Sequence, residues 1–521
     1  MIVTWALPSP AEDALEVLIA GEWTRFPAWS VKQYSTASYM SPFIHHATVR
    51  GLLANTSYEY RISSSSSSSS SSSELSSYVM RTPDDSYPLT VAVLGDHGQT
   101  PYSEETIEAL GMHQPRPQVT FLVGDLSYAD GQGERWDSWE SIVEPTFSEM
   151  PLLALPGNHE IENAVGEAFE GYRRRYPAPE VASEIVGPGT FAEDTYDNNL
   201  TYDYGSSFYS FSVGRAKFLA LNTYAEAGEG SRQRAWLERE LSCVDRSVTP
   251  WVIVGMHAPW YSTNEKHRPE LATSRHRNSL EPVLSAAGVS LVLSGHVHAY
   301  ERSHAVCLDR VGEGPTYVTI GDGGNREALY DAWPYHNDEP WSAFRNGTKY
   351  GFGTIEFYND SVAAWRWLPN EVRGPRDEIF VENRLEPCDE DASLPEIDDC
   401  EMDVVAAVEA RRSGAREDDD DDDDFVVKKG NIVLAKQVVL AVIIVLALAV
   451  SVTAFATLRA AYFDTSDHQH AFLFGATRAA FHVGALELDT FVPDHHRQQE
   501  EDPHSPSDHH ENKDDATAVL V

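Results

Sequence analysis

The sequence predicts an α/β domain preceded by a small all-β domain and followed by a single transmembrane helix near the C-terminus. Three observations support this organisation. Short segments within residues 1–82 alternate hydrophobic with polar residues, five short apolar runs then each lead into a polar cluster, and residues 438–458 carry no charge. Alternation is typical of half-buried strands, whereas continuous apolar runs are typical of strands buried on both faces.

Residues 1–82 form the predicted all-β domain. Alternating segments at residues 1–5, 16–20, 48–52 and 58–62 predict strands, and Asn55 with Thr56 predicts a turn before the last of them. We expect this domain to act as a spacer or an interface, because its segments contain few side chains suited to catalysis.

Residues 88–370 form the predicted α/β domain. Helices are expected between its strands, for example at Ser231–Leu241, where Trp236 and Leu237 share one face. Five apolar runs precede clusters that carry hard oxygen or imidazole side chains. The clusters are Gly95-Asp96-His97-Gly98, Gly124-Asp125-Leu126-Ser127-Tyr128-Ala129-Asp130, Pro156-Gly157-Asn158-His159-Glu160, His257-Ala258-Pro259-Trp260-Tyr261 and Ser294-Gly295-His296-Val297-His298.

These clusters predict a metal site. A single Gly-Asp or Asn-His pair is usually a turn or a satisfied core group, but five in succession at strand ends are hard to assign to packing. Asp, Asn, Tyr and His together suit iron, zinc or manganese better than calcium. About seven ligands, one of them a carboxylate able to bridge, would serve two metals about 3.5–4 Å apart at a phosphoryl centre.

In this order the clusters resemble the calcineurin-like metallophosphoesterases, and more closely the purple acid phosphatases of the large plant type. The resemblance covers roughly residues 1–370. It implies a sandwich of two mixed sheets flanked by helices, a fibronectin-III-like domain at 1–82, and a C-terminal segment at about 314–370. Tyr317–Asn325 and Ser342–Arg345 carry the likeness in that segment.

The resemblance also implies a ligand set and a reaction. Fe(III) would be held by Asp96, Asp125, Tyr128 and His298. A second divalent metal (Zn, Mn or Fe) would be held by Asp125, Asn158, His257 and His296, with Asp125 as the bridge. The expected activity is that of an acid phosphatase, in which a metal-bound hydroxide attacks phosphate monoesters carried by small molecules or phosphoproteins.

The same resemblance assigns catalytic roles to His159 and His267. His159 would stabilise the phosphoryl oxygens, His267 would assist the leaving group, and Asn158 and His257 would complete the substrate-binding set. Two positions depart from the family pattern. Lys266 stands where plant members often have histidine, and His97 stands where an apolar residue is usual.

The C-terminal part differs in composition from the rest of the chain. The chain has 39 basic and 81 acidic residues, a formal charge of −42, which argues against a nucleic-acid partner. We expect an acidic juxtamembrane linker at 371–437, including the run Asp418–Asp424, a transmembrane helix at 438–458, and a disordered His- and Asp-rich tail at 459–521.

The predicted location is a membrane, with one crossing and the catalytic domain extracellular or lumenal, at the plasma membrane or an endomembrane or vacuolar membrane. Glycosylation sequons at Asn55, Asn199, Asn346 and Asn359 favour this orientation. Three lysines before the span against two arginines after it favour the opposite one, by a single charge. A homodimer is a further assembly to test.

The four cysteines, Cys243, Cys307, Cys388 and Cys400, allow three disulfide pairings, of which Cys388–Cys400 closes the shortest loop. Four functions remain open from the sequence: hydrolysis of phosphomonoesters, hydrolysis of phosphodiesters or pyrophosphates at the same metals, a non-catalytic surface scaffold, and iron-driven generation of reactive oxygen species. The scaffold ranks lowest, because none of the expected ligands is missing.

Overall fold

The computed structural model describes residues 1–397, with gaps at 9, 11–13, 37, 64–76, 163–165, 180–187, 190–199, 204–206, 268–270, 335–338, 372–373, 389–392 and 396, together with residues 517–520. The predicted transmembrane helix, Asn199, Cys400 and most of the predicted linker and tail lie outside these residues. Within the described residues, no helix is long and apolar enough to cross a membrane.

The N-terminal domain consists of two antiparallel sheets. Its strands are β1 (Ile2–Leu7), β2 (Ala14–Ile19), β3 (Glu22–Pro27), β4 (Ser30–Lys32), β5 (Phe43–Thr48), β6 (Ser57–Ser63) and β7 (Ser77–Arg81). In β6 the side chains of Tyr58, Tyr60 and Ile62 are buried while those of Ser57 and Glu59 are exposed. The all-β prediction is confirmed, and the fibronectin-III-like description stays a prediction.

The strand predicted at residues 48–52 is wrong. β5 ends at Thr48, and Gly51 has a φ of 73° while Asn55 has a φ of 49°. These left-handed conformations turn the chain toward β6 and are incompatible with a continued strand.

The α/β domain is a sandwich of two sheets, as predicted. Its elements are β8 (Leu89–Leu94), α1 (Pro101–Met112), β9 (Val119–Leu122), α2 (Glu134–Phe147), β10 (Leu152–Ala154), β11 (Gly166–Glu167), α3 (Glu170–Arg175), β12 (Pro188–Gly189), β13 (Leu200–Asp203), β14 (Tyr209–Val213), β15 (Ala216–Ala220), α4 (Arg232–Ser242), β16 (Trp251–Gly255), α5 (Leu271–Ala286), β17 (Leu291–Ser294), β18 (Tyr300–Cys307), β19 (Arg310–Ile320), β20 (Ser342–Asn346), β21 (Gly351–Phe357), β22 (Val362–Pro369) and β23 (Asp377–Glu382).

Two mixed sheets dominate this domain. Among the described residues one has six strands in the order β10-β9-β8-β21-β22-β23, and the other has seven in the order β14-β15-β16-β17-β19-β18-β20. Alternate residues of a strand serve two interfaces: Val91 and Val93 of β8 pack in the core between the sheets, whereas Ala92 and Leu94 pack against helices. The sandwich therefore brings strand ends from both sheets to one side.

The helix predicted at Ser231–Leu241 is confirmed. α4 begins after Ser231, whose side chain accepts a hydrogen bond from the backbone N–H of Arg234, and Trp236, Leu237 and Leu241 are buried.

The α/β domain extends beyond its predicted end at residue 370. β23 pairs with β22 across six residue pairs, from Val362 with Glu382 to Trp367 with Asp377. The acidic linker predicted from residue 371 therefore does not begin there. Acidic residues hide the strand in the sequence, because Asp377, Glu378 and Glu382 flank its three apolar residues, Ile379, Phe380 and Val381.

Two further features of the C-terminal part go beyond the sequence. The structure joins Cys307 to Cys388 and has Cys243 in a disulfide as well, which excludes Cys388–Cys400 from the three pairings that the sequence left open. Within the tail predicted to be disordered, Thr517–Leu520 form a strand, β24. β24 pairs antiparallel with β1, from Val3 with Leu520 to Ala6 with Thr517.

A buried arginine joins the two domains. Arg175, at the end of α3, is 1% exposed. Its guanidinium donates to the hydroxyl of Tyr34 at 2.6 Å and to that of Tyr39 at 3.0 Å. It also lies 2.5 Å from Asp137 and 3.1 Å from Glu140 of α2. The N-terminal domain is thus fixed to α2 by one charge that water does not reach.

We predict that Arg175→Met lowers the free energy of unfolding by about 3–5 kcal/mol, because it leaves buried acceptors without their cation. Denaturant unfolding of the full chain measures this. Arg116→Met is the matched control, since Arg116 pairs with Glu149 at the surface with 41% and 44% of the side chains exposed, and such pairs contribute about 0–1 kcal/mol. Equal effects of the two substitutions would contradict the prediction.

Candidate metal centre

The five polar clusters lie at the carboxyl ends of five buried strands. β8, β9 and β10 of the six-stranded sheet precede the first three clusters, and β16 and β17 of the seven-stranded sheet precede the other two. Loops after parallel strands from both sheets therefore meet in one place, as expected for an α/β fold.

Several predicted ligands have left-handed backbones. The φ angles of Asp96, Asp125, Tyr128 and His296 are 55°, 54°, 52° and 69°. Such conformations cost of order 1–3 kcal/mol each for residues other than glycine, and they cluster at functional sites. Here they turn each chain sharply after its strand, so that side chains from separate loops face a common point.

Glycines beside the ligands allow a close approach that a methyl group would block. A Cβ on Gly157 would lie 2.1 Å from Oδ1 of Asp125, and a Cβ on Gly295 would lie 2.3 Å from Oδ2 of Asp96. In the Gly157-Asn158 and Gly295-His296 pairs, the glycine is therefore required by packing and the second residue is a predicted ligand.

The first predicted ligand group converges. The hydroxyl of Tyr128 lies 3.2 Å from Oδ1 of Asp96 and 3.0 Å from Nε2 of His298. His298 Nε2 is in turn 3.3 Å from Oδ1 of Asp96. All three side chains are buried, so a carboxylate, a phenol and an imidazole converge on one small volume.

The second predicted group lies beside the first. Oδ2 of Asp125 is 3.0 Å from Nε2 of His257. Oδ1 of Asn158 is 3.2 Å from His257 Nε2 and 2.9 Å from His296 Nδ1. Ligand atoms of Asp125, His257 and His296 all lie within 4.8 Å of one another, which makes them a group able to hold a metal ion.

Hydrogen bonds orient two of the imidazoles. Nδ1 of His257 is 2.8 Å from the carbonyl oxygen of Val123, and Nδ1 of His298 is 3.1 Å from that of Ala328. A carbonyl only accepts, so each Nδ1 donates to it, and Nε2 is the nitrogen of each ring left to bind a metal. This is the usual arrangement of metal-bound histidines.

The electrostatics of the site favour cations. Burial alone would raise the pKa of Asp125, but His257 and His159 hold it below its ordinary value. Burial, together with Asp96 and Asp125, raises the pKa of the Tyr128 hydroxyl well above its ordinary value. Buried anions at this density need compensating positive charge, and the donor set of carboxylate, phenol, amide and imidazole fits transition-metal ions.

His159 faces the same volume and is held by residues that the sequence did not single out. Its ring lies 4.0 Å from that of the predicted ligand Tyr128. Its Nδ1 is 2.5 Å from Oδ1 of Asp130, a residue of the second cluster to which the sequence assigned no role. Burial lowers the pKa of His159, yet Asp125 and Asp130 outweigh it and raise the pKa to about 9. Asp130 also pairs with Arg326, which donates to the Tyr128 carbonyl at 2.7 Å.

His267 and Lys266 lie at the exposed mouth of the site. The ring of His267 is 4.2 Å from the ring of His296. The Lys266 ammonium lies 5.4 Å from the ring centroid of Tyr330, which itself stacks on His298 at 4.4 Å. His267, predicted from the family pattern, and Lys266, which departs from it, therefore both border the metal-ligand cluster.

His97 is turned away from the cluster. Its Nε2 donates to the Ser103 carbonyl at 3.0 Å, and its Nδ1 accepts from Nε1 of Trp139 at 3.0 Å. Complete burial lowers the pKa of His97 to about 4. His97 is therefore a neutral core residue.

Glu160 is a positioning residue that the sequence did not reveal. Its carboxylate is fully buried and accepts from the backbone N–H groups of Asp125 and Leu126, each at 2.8 Å, and of Gly157 at 2.7 Å. It therefore fastens the loop that carries Asp125 to the loop that carries Asn158. Three backbone donors converging on one carboxylate leave no periodic signal in a sequence.

Fold and site together define a metallophosphoesterase. The family profile for calcineurin-like phosphoesterases matches residues 89–300. Residues 1–78 match the purple acid phosphatase N-terminal domain, and residues 314–377 match the iron/zinc purple acid phosphatase-like protein C. The chain belongs to the purple acid phosphatase family and is a metal-dependent phosphatase that acts on phosphorylated substrates.

Individual relatives agree. Purple acid phosphatase 18 of Arabidopsis thaliana is 35% identical over 354 residues, covering 67% of this chain and 73% of the relative. Fe(3+)-Zn(2+) purple acid phosphatase 12 of the same plant is 32% identical, covering 74% of this chain and 82% of the relative. A purple acid phosphatase from yellow lupin (Lupinus luteus) seeds shares the fold, with a TM-score of 0.60 at 20% identity over 73% of this chain and 72% of that one.

We predict that Glu160→Gln weakens metal binding about 10–100-fold, which is the usual cost of losing a side chain that orients metal ligands. The substituted amide places an NH₂ group against a backbone donor, which leaves a buried donor unpaired. Chelator competition followed by metal analysis measures the loss. Glu162→Gln is the matched control, because half-buried Glu162 accepts from Nε1 of Trp136 at 2.7 Å, a bond that an amide oxygen can keep. Equal metal retention in both variants would show that Glu160 does not position the metal ligands.

Proposed function

We propose that the protein is an acid phosphatase that hydrolyses phosphate monoesters at a dinuclear centre of Fe(III) and a divalent metal, Zn, Mn or Fe. The observation that carries the proposal is the convergence of all seven expected ligand side chains from five loops. The name of the Fe(3+)-Zn(2+) relative supports the pair of metals.

The proposed ligands divide into two sets that share Asp125. Fe(III) would take Asp96, Asp125, Tyr128 and His298. The divalent metal would take Asp125, Asn158, His257 and His296. Distances of 3.0–3.3 Å among Asp96, Tyr128 and His298, and of 2.9–3.2 Å within the second set, support this division. The family resemblance supplies Asp125 as the shared carboxylate.

Side chains around the proposed metals would bind the substrate. Bound metals would supply Lewis-acid polarisation of the phosphoryl group and a water of lowered pKa. His159 would donate to the phosphoryl oxygens, since Asp130 holds its ring toward the ligand cluster. His267, exposed beside His296, would donate to the leaving-group oxygen. Lys266 adds positive charge at the mouth of a site in an otherwise acidic protein.

We predict that Tyr128→Phe abolishes the visible absorption band of the purified full-length protein, because the band of a purple phosphatase arises from a tyrosinate bound to Fe(III). Tyr330→Phe is the matched control: Tyr330 stacks on His298, but its hydroxyl faces Glu327 at 3.4 Å. The visible spectrum and hydrolysis of p-nitrophenyl phosphate are recorded for each variant. A band that survives in Tyr128→Phe would refute the assigned iron ligand.

The same proposal includes an extracellular or lumenal catalytic domain attached to a membrane, at the plasma membrane or within the endomembrane or vacuolar system, and a homodimer as its assembly. The Cys307–Cys388 disulfide supports an oxidising compartment. Asn55 and Asn359 are exposed and Asn346 is partly exposed, so these three sequons are accessible to a glycosyltransferase.

The pairing of β24 with β1 restricts how the chain attaches to a membrane. A single crossing at 438–458 would separate residues 517–520 from β1, whereas the strand pairing needs both on one side. We therefore predict that antibody reaches a tag after Val521 on intact cells or sealed vesicles of catalytic-side-out orientation. A tag reached only after permeabilisation would contradict the pairing and support one crossing.

A further inference from the structure

The loop of residues 262–267, here called the substrate loop, is fastened by one buried carboxylate. Glu301 in β18 is 2% exposed. Its Oε2 accepts from the Thr263 backbone N–H at 2.8 Å and from the Ser262 hydroxyl at 3.2 Å. Its Oε1 accepts from the Thr263 hydroxyl at 2.5 Å. The carboxylate thus binds the loop through three donors.

The rest of the loop is tied to the segment that follows β19. Asn264 donates from Nδ2 to the Tyr330 carbonyl at 2.8 Å and accepts from the Lys266 backbone N–H at 3.0 Å. The Glu265 backbone N–H donates to the Ala332 carbonyl at 2.7 Å. These bonds continue the attachment from Glu301 to the residue before His267.

His267 ends the substrate loop in a left-handed conformation with a φ of 52°. Its ring packs 4.2 Å from that of His296 and 5.9 Å from that of Tyr330. In a flexible exposed loop this ring would adopt many positions. The hydrogen bonds that hold residues 262–266 therefore fix where the donor nitrogen of His267 lies. Ser342 adds a further donor to Glu301 at 2.8 Å, which restrains the carboxylate itself.

We propose that Glu301 is a positioning residue for the leaving-group step: through Ser262 and Thr263 it fixes the substrate loop so that His267 meets the ester oxygen. The inference rests on the proposed function, because it needs His267 as the donor to the leaving group. β18 would then have two roles, because it carries Glu301 and also begins two residues after the predicted ligand His298.

Two substrates separate this role from a general loss of activity. p-Nitrophenolate leaves without protonation, whereas the alkoxide of glycerol 2-phosphate needs a proton. For Glu301→Gln and Thr263→Val we expect kcat for glycerol 2-phosphate to fall about a hundredfold, the scale of a misplacement near 1 Å. We expect kcat for p-nitrophenyl phosphate to fall much less. Thr263→Ser keeps the hydroxyl and should restore both rates.

Metal content and the visible spectrum of each full-length variant are measured in parallel, and both should match the wild type. Glu240→Gln is the matched control, because this buried carboxylate of α4 accepts from Ser210 at 2.6 Å and pairs with Lys217 at 2.7 Å, away from the loop. Equal losses on the two substrates, or metal loss in Thr263→Val, would overturn the inference. Wild-type protein without hydrolysis of either substrate would instead overturn the proposed function.

Discussion

The structure depends on negative charge buried where the two sheets meet. Asp96 and Asp125 are each at most 1% exposed, and the buried hydroxyl of Tyr128 lies 3.2 Å from Asp96 and 3.0 Å from His298. Carboxylates at such a place are strongly destabilising unless they are paired or bound to metal. Imidazoles lie within 3.3 Å of both carboxylates, and the same arrangement suits the metal ions of the proposed centre.

The fold meets this requirement by distributing the ligands over both sheets. Parallel strands within the two mixed sheets end in loops that turn sharply, and the left-handed residues with their adjacent glycines make those turns. Glu160 then locks two of the loops together, while Glu301 locks the loop at the mouth. Strain in the backbone is thus offset by buried hydrogen bonds to carboxylates, which keep the ligands from relaxing apart.

The sequence predicted the parts of this arrangement that depend on local pattern. Apolar runs followed by ligand clusters identified five strands and seven candidate ligands, and Trp236 with Leu237 identified a helix face. Interactions between distant residues were not predictable. The Cys307–Cys388 pair closes over 81 residues, β23 is hidden by its acidic residues, and the support from Glu160 requires three backbone donors that only the folded chain brings together.

In the proposed dinuclear centre, Asp125 binds both metals. Metal analysis of the purified full-length protein and its Asp125→Asn variant tests it most directly. The account predicts two metal ions per wild-type chain and the loss of both in the variant, since a bridging ligand belongs to each site. A wild-type chain with one metal or none, or a variant that keeps one of two metals at full occupancy, would contradict it.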